Sequence, residues 1–275
     1  MADHMPTNDT EIRPNRVKRK LADGDCVVVP GGIYTPEIID MMGPLGFDGF
    51  WLEAEHGAVD FGDIGDLTRA CDLWGTTSIV RINHAHAGLI YRTLDQGAQG
   101  IVVPHVNTAE EAQLIVDAAK FAPIGHRGMF SSRQAYGVDN FHAKANEQSL
   151  IVILIEDIVA VNNLAALLEI DHIDVYFVAP SDLGQSMGII DPFSPEVQEV
   201  AEKAVRQIAA SGRTAGSLTL PSFSDGRPNM SEIDRWLEAG SRFLHTPWML
   251  WLQGGAKAYV EHANSLSMDL LRSER

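Results

Sequence analysis

The sequence predicts a single-domain α/β protein, a (β/α)8 or TIM barrel, on three observations. Short apolar, β-branched runs alternate with stretches of helical period from residue 15 almost to the end, the pattern of a parallel sheet whose strands are each followed by a helix. There are eight such runs, and 275 residues shared among eight units give about 34 each, close to the roughly 30 typical of this fold. No Ser/Gly-rich linker divides the chain, and the doubly wound alternative wants a GxGxxG turn after its first strand, where PGGIYTPE follows instead. Residues 1–14 read as a flexible N-terminal segment and 15–275 as the barrel with its C-terminal helix.

Taken in order, the strands are placed at 26–29 (CVVV), 49–53 (GFWLE), 77–81 (TSIVR), 100–104 (GIVVP), 150–156 (LIVILIE), 174–178 (DVYFV), 214–218 (TAGSL) and 242–245 (RFLH). One connection is long. Between Pro123 and Ser149 the chain is rich in Gly, Ser and aromatics without a clear amphipathic period, and long barrel loops usually belong to the site. The alternative is a mobile surface excursion.

Composition excludes several classes of function. Acidic residues outnumber basic ones 37 to 21, a net charge of −16 with no Lys/Arg stripe, which argues against a nucleic-acid or membrane partner. Hydrophobic residues make up 45%, enough for a substantial core, yet charged residues interrupt every apolar run before the roughly 18 residues that span a bilayer. The polar start MADHMPTNDTEIRP lacks the apolar core of a secretory signal, so a cytoplasmic protein is expected. Cys26 and Cys71 form no CxxC pair and sit in apolar surroundings, which argues against a disulfide or a cysteine zinc site.

Barrel strands are buried on both faces, so an ionisable residue at a strand's C-terminal end needs a reason. The second strand ends in Glu53, Glu55 and His56, the third in Arg81, the fourth runs into His105, the fifth ends in Glu156, and the sixth leads through Ala179 and Ser181 to Asp182. All would converge on one face. Glu156 follows five consecutive apolar residues, and an unpaired carboxylate there would cost several kcal/mol. Asp182 lies one βα unit further, on the neighbouring strand, where the two carboxylates would repel each other. A shared divalent metal resolves this, and oxygen ligands select a hard ion such as Mg2+ or Mn2+. A salt bridge from either carboxylate to Arg81 is the competing explanation.

A metal with open positions beside an Arg suits a chelating, negatively charged substrate, of which a 2-oxo acid is the simplest. Its enolate must be formed and quenched, and His56 is the residue of this set whose ordinary pKa of roughly 6.5 suits proton transfer near neutrality. Strand-end histidines are often merely structural. Asp95, late in the helix GLIYRTLDQ where the helix dipole disfavours an anion, calls for a partner such as His56, the alternative being a pair with Arg92.

With these residues in place, the sequence resembles the HpcH/HpaI aldolase family of metal-dependent class II pyruvate aldolases over nearly all of residues 15–255. The carriers are FDGFWLEAEH (47–56), IVRIN (79–83), LDQGAQGIVVPHVNTAEEA (94–112), APIGHRG (122–128), ILIED (153–157) and VAPSDLGQSMG (178–188). The resemblance implies that Glu156 and Asp182 bind Mg2+, Mn2+ or Co2+, that His56 is the base with Asp95 raising its basicity, and that Arg81 stabilises the developing oxyanion. It further implies that Ser181, with the backbone of Ala179, holds the carboxylate of the oxo acid, and that the C-terminal helix (256–271) exchanges between the subunits of a hexamer. Three positions depart from the family pattern: Glu53 stands where Asp is common, Leu154 replaces a Gln that contacts the oxo acid, and HTPWMLWLQGG (245–255) is unusually aromatic.

The implied reaction is reversible cleavage of a 4-hydroxy-2-oxo acid into pyruvate, or hydroxypyruvate, and an aldehyde. The same machinery would serve oxaloacetate decarboxylation or addition of the resulting enolate to an unsaturated ring, as in macrophomate synthase. A citramalyl-CoA-type lyase lacks an obvious basic patch for the coenzyme's phosphates. A non-catalytic descendant of an aldolase would have lost the His56, Arg81, Glu156 and Asp182 set first, and the set is whole.

Overall fold

A computed structural model describes residues 11–273, with side chains described to residue 265. Eight parallel strands close a barrel in sequence order, β1 (Val27–Ile33), β2 (Gly49–Glu53), β3 (Thr77–Arg81), β4 (Gly100–Val103), β5 (Leu150–Ile155), β6 (Val175–Val178), β7 (Ala215–Leu218) and β8 (Ser241–Pro247), with β8 pairing back onto β1. Every predicted strand is present. The first and last run further than their apolar cores, because Pro30–Ile33 and Thr246–Pro247 are carried along by pairing with each other and with β2.

The helices are α1 (Arg16–Ala22), α2 (Pro36–Met42), α3 (Phe61–Leu73), α4 (Ala87–Asp95), α5 (Ala109–Ala119), α6 (Phe141–Gln148), α7 (Ile158–Asn162), α8 (Leu164–Leu168), α9 (Pro180–Ser186), α10 (Pro195–Ala210), α11 (Met230–Ala239) and α12 (Trp248–Ser273). None of them is long and apolar enough to cross a membrane. Their starts are written in the sequence. Asp60 and Asp63 close a capping box on α3, Thr108 and Glu111 do the same for α5, and Ser194 with Pro195 opens α10.

Alternation along the strands divides the core in two. Val27, Val29, Trp51, Ile79, Val102, Val152, Leu154, Val175, Phe177 and Phe243 fill the barrel interior, while the opposite strand faces pack under the helices. At about 1.5 to 3 kcal/mol per fully buried large apolar side chain, both layers are required for stability.

The N-terminal face is closed by α1, whose Val17 enters the interior cluster while its backbone N–H donates to Thr77. Of the segment expected to be loose, residues 1–10 lie outside the described residues. Residues 11–14 are held, because Arg13 pairs with Asp72, and the carbonyls of Arg13 and Pro14 accept from Gln99.

The long connection 123–149 corrects another expectation. It joins the end of α5 to the start of β5 and so lies at the N-terminal face, away from the strand ends that carry the charges. There it is well anchored. Arg133 reaches Asp72 and Thr68, Gln134 donates to the Gly97 carbonyl, and Lys120, 1% exposed, donates to the carbonyls of Asn146 and Ser149. Loop length alone does not reveal whether a connection follows a strand or a helix, and in a barrel only the former faces the site.

Candidate active site

At the C-terminal face, register alone brings the first pair of charges together. Glu53 and Arg81 are partners across β2 and β3, point to the same side, and form a fork in which Arg81 Nε lies 3.0 and 2.8 Å from the two carboxylate oxygens and Nη2 2.7 Å from Oε2. Arg81 Nη1 is 3.1 Å from Glu55 as well. Glu53 also organises the turn after β2, accepting the backbone N–H groups of Glu55 and His56 (both 3.0 Å) and the Trp51 indole N–H (3.3 Å). Gly57 completes that turn, since a Cβ there would strike the Glu53 carbonyl and side chain.

Glu156, directly after β5, is 3% exposed. Its Oε1 accepts the backbone N–H of His105 at 2.8 Å, with His105 Nδ1 3.2 Å away. His105 adopts φ 54, a left-handed conformation rare outside glycine. No Lys or Arg pairs with Glu156 among the described residues, so the salt bridge to Arg81 that competed with a metal does not form; Arg81 is spent on Glu53 and Glu55. Burial above all, with the charges of Asp182 and Glu55 adding to it and His105 opposing it, pushes the Glu156 carboxyl up to about 7. Burial likewise raises Glu55 against the pull of Arg81.

Asp182 stands in the first turn of α9, half-buried, close enough to Glu156 for their charges to oppose each other. Two carboxylates that disfavour one another in a low-dielectric mouth, with the nearby guanidinium already committed, form a donor set that a hard divalent cation fits. Among the described residues no group of three or more His, Cys, Asp or Glu is placed to hold a metal, so an ion here would keep most of its positions for other ligands. Ser181 is exposed beside Asp182, and the opening turn of α9 leaves its N–H without an intrahelical acceptor. The Ala179 N–H differs from expectation: it already donates to the Ile155 carbonyl (3.2 Å) as sheet pairing continues past the strand end.

His56 lies on the turn after β2 with its side chain 72% exposed and Nε2 3.7 Å from Glu55. Asp95 is nowhere near it within the chain. Because α4 runs antiparallel to the strands, its last residue sits at the opposite end of the barrel, where Asp95 Oδ1 accepts from Arg127 Nη2 at 2.6 Å. Arg92, the other expected partner, lies instead over the Phe61 ring, its guanidinium carbon 3.9 Å from the centroid. Arg127 comes from the long connection, and nothing in the local sequence around Asp95 announces it.

Beneath the charged layer, Trp51, Leu154, Phe177 and His245 form the floor of the mouth. Leu154 faces inward as the period of two requires, 1% exposed and in register with Phe177. His245 is a feature that the reading of strand-end charges passes over, although it closes the apolar run RFLH in the same way that Arg81 closes TSIVR. The aromatic segment after β8 ties α12 to its own barrel: Trp248 Nε1 donates to the Gly32 carbonyl (3.0 Å), and Trp251 stacks on Phe47 at 5.9 Å and 13°.

Known proteins resemble this chain in sequence and in fold. The sequence profile of the family described as HpcH/HpaI aldolase/citrate lyase matches residues 27–242. A hydroxypyruvate/pyruvate aldolase of Roseobacter denitrificans is 33% identical over 239 residues, covering 84% of this chain and 89% of the relative. A 2-keto-3-deoxy-L-rhamnonate aldolase of Salmonella gallinarum is 33% identical over 215 residues, 75% of this chain and 79% of the relative. Among solved structures, an HpcH/HpaI aldolase from Desulfitobacterium hafniense superposes with a TM-score of 0.77 at 26% identity, covering 93% of this chain and 96% of the other.

Proposed function

Because the chain belongs to the HpcH/HpaI aldolase/citrate lyase family, we propose that it is a carbon–carbon lyase, a class II aldolase that reversibly cleaves a 4-hydroxy-2-oxo acid into pyruvate or hydroxypyruvate and an aldehyde. The observation that carries this reading is Glu156: a buried carboxylate at the barrel mouth, close to Asp182 and without a Lys or Arg partner among the described residues. Glu156 and Asp182 would hold the divalent ion, Mg2+ or Mn2+, with Co2+ also suited to the oxygen donors. When bound there, the ion supplies positive charge to the oxygen on which negative charge develops as the oxo acid is deprotonated.

The remaining work falls to the chain. Arg81, its charge balanced by Glu53 and Glu55, contributes N–H groups of fixed direction to the same oxygen, since the fork to Glu53 leaves the guanidinium little freedom. His56 takes and returns the proton; its exposure lets the imidazole reach a substrate without breaking a structural hydrogen bond. Ser181 holds the carboxylate through its hydroxyl and N–H, and Leu154 lies under the substrate as part of the apolar floor.

Exposed apolar side chains along α12, including Leu252 (59%), Tyr259 (77%) and Val260 (54%), support packing of this helix on a neighbouring subunit, in keeping with a homohexamer. Two free cysteines, one of them buried, are in keeping with the cytoplasm. The test is to incubate the protein with a 4-hydroxy-2-oxo acid and follow release of aldehyde and oxo acid before and after chelation and re-addition of Mg2+ or Mn2+. Cleavage that persists in chelated protein, or a lysine adduct trapped by borohydride, refutes it in favour of imine chemistry. A parallel incubation with oxaloacetate, with and without aldehyde, separates aldol cleavage from decarboxylation.

A further inference from the structure

The floor of the mouth contains one polar ring whose outward nitrogen is not engaged by the protein. His245 projects inward from β8, one step closer to the mouth than Phe243, and packs on Trp51 (centroids 4.3 Å apart) and Phe177 (5.8 Å). Its slot exists because position 31 is glycine: a Cβ on Gly31 would fall on the imidazole Cε1. Nδ1 lies 3.1 Å from the Val29 carbonyl, and a carbonyl only accepts, so Nδ1 carries the hydrogen. Burial, reinforced by the charge of Arg81, pushes the imidazole down to about 3, and the ring is neutral at physiological pH. A neutral ring with its hydrogen on Nδ1 presents a lone pair at Nε2. That atom has no hydrogen-bond partner among the described residues and is not among the sealed polar atoms, and the residue is half-buried.

The other polar atom of the floor is committed, the Trp51 indole N–H being given to Glu53. Trp51 is in contact with both His245 and Arg81, whose guanidinium carbon is 5.6 Å from the Trp51 ring centroid. A small acid placed among Arg81, Glu156 and Asp182 therefore rests on a floor that offers one acceptor and no free donor. Pyruvate, with a methyl group at C3, has nothing to give that acceptor; a C3 hydroxyl does.

We propose that His245 is a specificity-determining residue that accepts a hydrogen bond from the C3 hydroxyl of the donor acid, so that the site favours 3-hydroxy-2-oxo acids, hydroxypyruvate being the smallest, over pyruvate. The inference rests on the aldolase reading for the use made of the acid, while its binding content is independent of turnover. It also assigns Gly31 a purpose, as the position that must lack a side chain for the imidazole to occupy its slot.

The experiment compares hydroxypyruvate with pyruvate in two readouts: kcat/KM with one common aldehyde, and Kd by calorimetric titration of protein loaded with Mg2+. In His245→Phe the preference for hydroxypyruvate should fall roughly tenfold in both readouts, the loss expected for one hydrogen bond, with pyruvate changed less than about twofold. His245→Gln, which keeps an acceptor, should retain most of the preference, and Gly31→Ala, which keeps the histidine but displaces its ring, should lose it. Equal losses for both acids in His245→Phe, or an unchanged ratio in a variant that melts like the parent, would overturn the assignment. If the parent binds hydroxypyruvate preferentially but cleaves no aldol, the lyase reading fails and the His245 assignment stands. Failure of the parent to bind either acid overturns both.

Discussion

Arg81 and Glu53 face each other in register across β3 and β2, the guanidinium Nε 3.0 and 2.8 Å from the two carboxylate oxygens, and the same carboxylate holds the backbone of the turn bearing His56. One ion pair thus fixes both the residue proposed to meet the oxyanion and the base proposed to move the proton. Arg81→Lys keeps the charge but not the fork, so kcat/KM should fall by roughly 10² to 10³, the usual worth of a fixed oxyanion donor. A rate within threefold of the parent would remove Arg81 from the chemistry.

Glu156→Gln gives a paired signature in stability and metal binding. The folded metal-free protein holds Glu156 protonated up to about pH 7, whereas in the unfolded chain its pKa is near 4.5. Between those values the folded state binds more protons, so stability falls as pH rises through the window, and the full cost is present above it. Glu156→Gln should therefore melt a few degrees above the metal-free parent at pH 8 and match it at pH 4. Added Mg2+ or Mn2+ should raise the melting temperature of the parent and leave that of the variant unmoved. A variant less stable than the metal-free parent at pH 8 would contradict the reading of Glu156 as a carboxylate awaiting a cation.

His56→Ala should lower both exchange of the pyruvate methyl protons with solvent and aldol cleavage by roughly 10² to 10⁴. Proton exchange in deuterated buffer isolates the step from aldehyde binding. Full exchange with impaired cleavage would move His56 from the enolisation to the handling of the aldehyde.

Asp95→Ala leaves the Arg127 guanidinium buried, its side chain 3% exposed, without a carboxylate. Removing one partner of such a pair costs about 3 to 5 kcal/mol, which urea denaturation would register directly. Asp95→Leu combined with Arg127→Met should recover much of that loss, because apolar isosteres need no charge compensation. An unaltered midpoint in Asp95→Ala would show that the pair does not secure the long connection.

Leu154→Gln puts on the floor the amide that the family resemblance implies for this position, and apparent affinity for pyruvate and hydroxypyruvate should tighten roughly three- to tenfold, with poorer use of bulkier, more apolar substrates. Michaelis constants for both donors, set beside the melting temperature, decide the matter. A lower melting temperature with unchanged substrate ranking would reduce Leu154 to a packing residue between Trp51 and Phe177.

The sequence by itself determines the barrel and its charged rim, for a physical reason that is local: a strand buried on both faces is apolar for its whole length, so Glu53, Arg81, Glu156 and the approach to Asp182 stand out as interruptions. Only the tertiary structure decides who meets whom. Strand register joins Arg81 to Glu53 and so keeps it from Glu156; helix direction carries Asp95 to the far end of the barrel and into the hands of Arg127; and the position of the long connection after a helix, not a strand, takes it away from the mouth. His245 shows the limit most plainly. The slot its ring occupies depends on a glycine on the adjoining strand β1, more than two hundred residues away in the chain, and a contact made by closing the barrel leaves no local pattern for a sequence to display.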